Sequence, residues 1–206
     1  MTANSRLTSY VALLRGINVG GNAVVSMKAL KTCFERLGLQ DVLTYINSGN
    51  IIFKDSGTDI PTLTRLIESG IKAHCKMDIR VVIKSQKDLA AICRKMPRQW
   101  VTDKIMRTDV MFLWDEVDTP EMIAAIPVNP AVDRLLHVKG AVIWNITRTD
   151  YGKSKVPRMI AQAQAAIAAS VGVNQPNVMP PMMIAGVSSA GNAATNVRPS
   201  TFHRNA

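Results

Sequence analysis

The sequence predicts an α+β protein built from two ferredoxin-like (βαββαβ) plait repeats, the second incomplete, with a poorly ordered C-terminal tail. Three observations lead there. Short apolar runs alternate with stretches of helical period through the first hundred residues. The order strand, helix, hairpin, helix then begins again near residue 109. Charge also stops where the pattern stops: all 15 acidic residues precede position 151, and only Arg198 and Arg204 are basic beyond 162.

Each element has a local reason. "SYVALLRGIN" reads as a buried strand. A helix follows from Ser26, with Met27, Leu30, Cys33, Phe34 and Leu37 on one face; Ser26 supplies an N-cap and Gly38 a stop. "DVLTYI" and "IIFKDS" flank Asn47-Ser48-Gly49-Asn50, a hairpin signal. A second helix starts near Pro61 and buries Leu63, Leu66, Ile67 and Ile71. "DIRVVIKS" is the next strand and completes βαββαβ. Ser85-x-x-Asp88 resembles a capping box for a third helix with Leu89, Ile92, Cys93 and Met96 as its apolar stripe. The first unit therefore covers 8–96, and "MPRQWVTDKIMRT" is a polar connection.

The second unit covers 109–162. "DVMFLWDEV" is a strand, "TPEMIAAI" a short helix capped by Thr119, and "RLLHV" pairs with "AVIWNI" across Lys139-Gly140. A helix begins near Ser154. Residues 163–206 form a low-complexity tail in which only "VMPPMMIAG" offers a weak strand, limited by its prolines to a sheet edge.

Composition narrows the function classes. No apolar run approaches the roughly 20 residues of a membrane span, and "MTANSRLTSY" lacks the regions of a secretory signal. The expectation is a soluble, cytoplasmic chain with no membrane partner. Cys33, Cys75 and Cys93 lie in apolar helical stretches without CxxC spacing, so they read as buried thiols. The histidines are scattered, which gives a metal site no support, and no cofactor fingerprint is present. Net charge is +10, which suits an anionic small molecule, a nucleotide or nucleic acid, or else a basic solvated surface.

Topology supplies the candidate site. In a βαββαβ plait the first and third strands are antiparallel neighbours. Arg15-Gly16-Ile17-Asn18 then lies beside Asn47-Ser48-Gly49-Asn50, with Ser26 and Lys28 returning to the same edge. Backbone N–H groups, a helix N-terminus and two cations would stabilise an oxyanion there. The candidate ligand-binding residues are Arg15, Gly16, Asn18, Gly20, Gly21, Lys28, Tyr45, Ser48, Gly49 and Asn50. The competing reading makes the glycines turn residues only, and the loop fits neither phosphate-loop fingerprint. Arg15 carries the argument, because a charge that ends an apolar central strand needs water or a partner. A secondary basic site is Lys153, Ser154 and Lys155, with Arg148 and Arg158 nearby; a solvated loop is the alternative.

The run from Lys84 to Arg107 carries seven cations around Trp100 and reads as a solvated helix face or a base-stacking surface. RNA readout through the central strands has only Phe53 to offer. No nucleophile has an identifiable base, so the catalytic residues and any reaction stay open. Three function classes follow: an anion-binding protein, a nucleic-acid-binding module, or an interaction protein without a ligand site.

"YVALLRGINVGG", "SMKALK", "TYINSGNIIF" and "YGKSK" together resemble a bacterial family, domain-of-unknown-function family 1697 (DUF1697), from about Tyr10 to Ile160. The resemblance implies two plait-like repeats and no established activity. Family members continue into an Arg-Asn-Trp segment, whereas this chain has Asn196-Val197-Arg198-Pro199.

Overall fold

The computed structural model describes residues 7–14, 17, 25–45 and 49–162. The predicted tail over 163–206, with its weak edge strand, lies outside the described residues. Two antiparallel sheets and several helices make a mixed α+β architecture. Strands β1 (Thr8–Leu14), β2 (Gln40–Tyr45), β3 (Asn50–Asp55) and β4 (Val81–Ser85) form one sheet in the order β2-β3-β1-β4. Strands β5 (Met106–Phe112), β6 (Arg134–Val138) and β7 (Ala141–Thr147) form the other in the order β5-β7-β6.

The helices start and stop where local chemistry directs. Ser26 caps α1 (Met27–Arg36) by accepting from the Ala29 N–H at 3.4 Å, and Gly38 just beyond its end has φ +83°. Asp59 caps α2 (Ile60–Cys75), accepting from Thr62 N–H at 2.9 Å, and Lys76 closes it in the left-handed region. Ser85 and Asp88 form the reciprocal capping box of α3 (Gln86–Lys95). Thr119 caps the short α4 (Pro120–Ala124).

Alternation along β1 sends side chains into two different cores. Tyr10, Ala12 and Leu14 face α1 and α2, where Leu30, Phe34, Leu63, Ile67 and Ile71 are buried with Ile51 and Phe53 of β3. Tyr10 stacks on Phe53 with ring centroids 5.6 Å apart, and Phe34 meets Phe53 edge-on at 5.7 Å. Leu13 and Val82 point the other way, into a core shared with Ile92 of α3 and with Met111, Leu113, Val142 and Trp144 of the second half. Each such buried side chain contributes roughly 1.5–3 kcal/mol. The two halves are therefore joined through a common core, with α3 between them.

Several expectations need correction. Leu66 is 39% exposed, because it falls beside the apolar stripe of α2 rather than within it. Cys93 is exposed and Cys75 only partly covered, so Cys33 is the one fully buried thiol of the three; burial pushes its pKa up. The strand expected over 109–117 begins earlier, at Met106, and ends at Phe112, with a 3-10 turn over Asp115–Val117. The strand read from "DIRVVIKS" starts only at Val81. A 3-10 segment, Arg148–Lys153, follows β7, and the last helix begins at 156, just after Ser154 as expected.

The second core carries one polar keystone. Asp133, 4% exposed, accepts from Trp144 Nε1 at 2.8 Å and from Asn129 N–H at 2.7 Å. Asp133→Ala strands the Trp144 donor in the interior and frees the part-buried Asn129 N–H, and should cost about 2–4 kcal/mol, read from denaturant unfolding. Unchanged stability would contradict this assignment.

Candidate functional site

The strand pairing expected at the end of β1 is present. Leu13 pairs with Asn50, and Leu14 N–H donates to the Gly49 carbonyl at 2.9 Å. Tyr45 pairs with Asn50 from the other side. Gly49, Asn50 and Tyr45 thus come together, with Tyr45 a strand residue 49% exposed. Arg15, Gly16, Asn18, Gly20, Gly21, Asn47 and Ser48 lie outside the described residues.

Gly49 has a structural requirement of its own. Its φ is +82°, and a Cβ there would sit 2.7 Å from Ile17 Cδ1 and 3.0 Å from Leu14 Cβ. Lys28 is exposed in the first turn of α1 and lines a groove shared with Arg36, His74 and Cys75. Among the described residues, Arg80, which precedes β4, brings a cation to this end. Its charge is committed: it pairs with Glu68 at 3.4 Å and Glu116 at 3.3 Å, and its guanidinium lies 5.0 Å from the centre of the Trp114 ring. Burial pushes the Glu68 carboxyl up, opposed by the Val81 N–H and by Arg80.

The secondary basic site is partly neutralised. Lys153 pairs with Asp150 at 2.8 Å, and Ser154 Oγ accepts from the Val156 N–H at 3.1 Å, opening the last helix. Lys155 remains exposed. Nearby Arg148 donates to the Asp103 carbonyl at 2.7 Å. Phe53, the aromatic considered for RNA readout, is fully buried.

A feature that sequence reasoning missed lies between the halves. A cavity of about 740 Å³ opens beside β4, bounded by α3 and the β6–β7 hairpin. Lys84 sits in its wall and is only 9% exposed. This corrects the reading that placed Lys84 among solvated cations. It lies on the same face of β4 as Val82, so it turns into the junction. Its Nζ donates to the Leu113 carbonyl at 3.3 Å, and a Cβ on Gly140 would approach it to 2.5 Å. Burial lowers the Lys84 pKa, with Asp115, Asp88 and Asp118 acting in the opposite direction. Asp118 is occupied elsewhere, holding His137 Nε2 at 2.6 Å and the Gly140 N–H at 2.7 Å. The signal was available: Lys84 nears the end of an apolar strand just as Arg15 does.

Residues 7–144 match the family described as "Protein of unknown function (DUF1697)". Among solved structures, the chain is similar to conserved bacterial protein SP0830 from Streptococcus pneumoniae. The TM-score is 0.67 at 25% sequence identity, covering 88% of this chain and 94% of that one. No curated protein matches.

Two outcomes are expected from this geometry. Gly49→Ala should lower stability by about 1–2 kcal/mol in denaturant unfolding, since both the backbone angle and the Ile17 contact oppose a side chain. Lys84→Met should be neutral or stabilising at pH 7, by up to about 2 kcal/mol, because it removes a buried charge whose direct partner is a carbonyl. The sign follows from the lowered amine pKa: the unfolded chain holds that proton more tightly, so wild type carries the penalty at neutral pH. Its disadvantage should shrink as pH rises through the lowered Lys84 pKa toward that of a free lysine. Unfolding of both proteins at pH 7 and in mild alkali checks this.

Proposed function

The chain belongs to the DUF1697 family, and from that premise we propose that it binds a phosphate-bearing small molecule or nucleotide at the edge where β1 ends and β3 begins. The observation that carries this reading is the Leu14–Gly49 hydrogen bond with the Leu13–Asn50 pairing. That register supports reading the Arg15–Gly21 loop and the Asn47–Asn50 turn as spatial neighbours. The order β2-β3-β1-β4 supports reading the first half as a ferredoxin-like plait, and β5-β7-β6 supports an incomplete second one.

The chemistry is that of an oxyanion site. Arg15 supplies a planar bidentate donor, the glycines allow close backbone approach, and Asn18, Ser48 and Asn50 add neutral donors. Arg80 is already paired with two carboxylates, so Arg15 is the cation this reading depends on.

A thermal-shift screen of nucleotides, sugar phosphates and short oligonucleotides tests the proposal. One metabolite class should raise the melting temperature of wild type, and Arg15→Ala should abolish that shift while Lys153→Ala leaves it intact. Binding of oligonucleotides that falls steeply with salt and survives Arg15→Ala would replace this reading with a nucleic-acid surface. Absence of any shift would reject both.

A further inference from the structure

A second site follows from the cavity beside Lys84. It is separate from the loop edge: Lys84 pairs with Val11, whereas the edge begins at Leu14, three residues further along β1 and about 10 Å away. We infer that this cavity binds a small organic carboxylate, with its charged end on Lys84 Nζ and its apolar body between α3 and the β6–β7 hairpin.

Three features argue for that class of ligand. The first is the amine. An ammonium group has three donors and strong hydration. Here it has left water for one carbonyl contact at 3.3 Å, near the long end of the hydrogen-bond range. Among the described residues no other hydrogen bond uses this amine, which leaves two donors for an incoming acceptor.

The second feature is the surrounding carboxylates, none of which takes the amine directly. Asp88 is held by Ser85 Oγ at 2.6 Å in the capping box of α3, and Asp118 by His137 and Gly140. Asp115 lines the cavity but makes no salt bridge with Lys84. A ligand anion would therefore supply the charge-assisted hydrogen bond that the protein itself does not.

The third feature is the rest of the wall. Ile83, Ile92, Leu136 and Val138 give an apolar lining, and a volume near 740 Å³ lies within the range of small-molecule sites. One buried amine beside a carbonyl oxygen suits a monoanion. A phosphate dianion would need more donors than this wall provides. Lys95 and Lys139 also line the cavity, and both are exposed, so they can attract an anion without holding it.

The competing account makes Lys84 a tie between β4 and the Leu113 carbonyl, with the cavity an accident of packing. Titration calorimetry of the full chain with 2-naphthoate, 2-naphthamide and inorganic phosphate separates the two. The carboxylate should bind wild type at one per chain, with the amide much weaker and any phosphate binding unchanged by Lys84→Met. Lys84→Met should weaken the carboxylate roughly tenfold or more while the protein stays folded. Ala91→Trp, which fills the cavity from the exposed side of α3 and leaves Lys84 in place, should also abolish binding; it decides the matter should Lys84→Met not fold. Equal binding of acid and amide, full binding to either variant, or no carboxylate binding at millimolar concentration would overturn the assignment. Phosphate binding that is lost in both Lys84→Met and Ala91→Trp but kept in Arg15→Ala would overturn it too. Phosphate ligands are scored against Arg15→Ala and naphthoate against Lys84→Met, so the two readings fail independently.

Discussion

Strand β1 must satisfy two cores at once, and the rest of the molecule is arranged around that demand. Tyr10, Ala12 and Leu14 fill one interior; Leu13 fills the other, with Val11 packed against it. A strand buried on both faces cannot slip by one residue, since a slip would exchange the two sets and put every side chain in the wrong core. The β1–β3 register, the meeting of Leu14 with Gly49, and the junction with the second half all follow from this alternation.

The junction also solves the problem of an exposed sheet edge. β4 is the last strand of its sheet, and its free side would present unpaired backbone groups. At Val81 side chains take both groups instead. Glu68 Oε1 accepts from the Val81 N–H at 2.9 Å, and Trp114 Nε1 donates to the Val81 carbonyl at 3.1 Å. Lys84 extends the same seam to Leu113. The second half thus closes an edge of the first with directional bonds as well as apolar area, which fixes how the two sit together.

At the other side of the same sheet the cover stops. Leu43, Tyr45 and Ile52 remain exposed on the face that Val11 and Leu13 share with the second half, although Leu43 and Ile52 are direct cross-strand partners. The two halves of this sheet therefore have different surroundings: β1 and β4 are enclosed, whereas β2 and the outer part of β3 meet solvent. Among the described residues, no helix is long and apolar enough to cross a membrane.

Local rules were enough to specify the order of elements, the caps at Ser26, Ser85 and Thr119, the Lys139-Gly140 hairpin and the neighbour relation of β1 and β3. Each depends on residues close in sequence, or on a topology that a βαββαβ order implies. Those same rules misjudged Leu66, Cys93 and Lys84, whose burial depends on what another part of the chain brings against them. Lys84 shows why most clearly. Charge and position in the sequence make it one cation among several near α3, and only the arrival of Leu113 and Gly140 from the second half takes it out of water. Sequence by itself determined which backbone groups and side chains would seek partners. Tertiary structure decided who those partners are, because desolvation is set by the distant segment that packs on top.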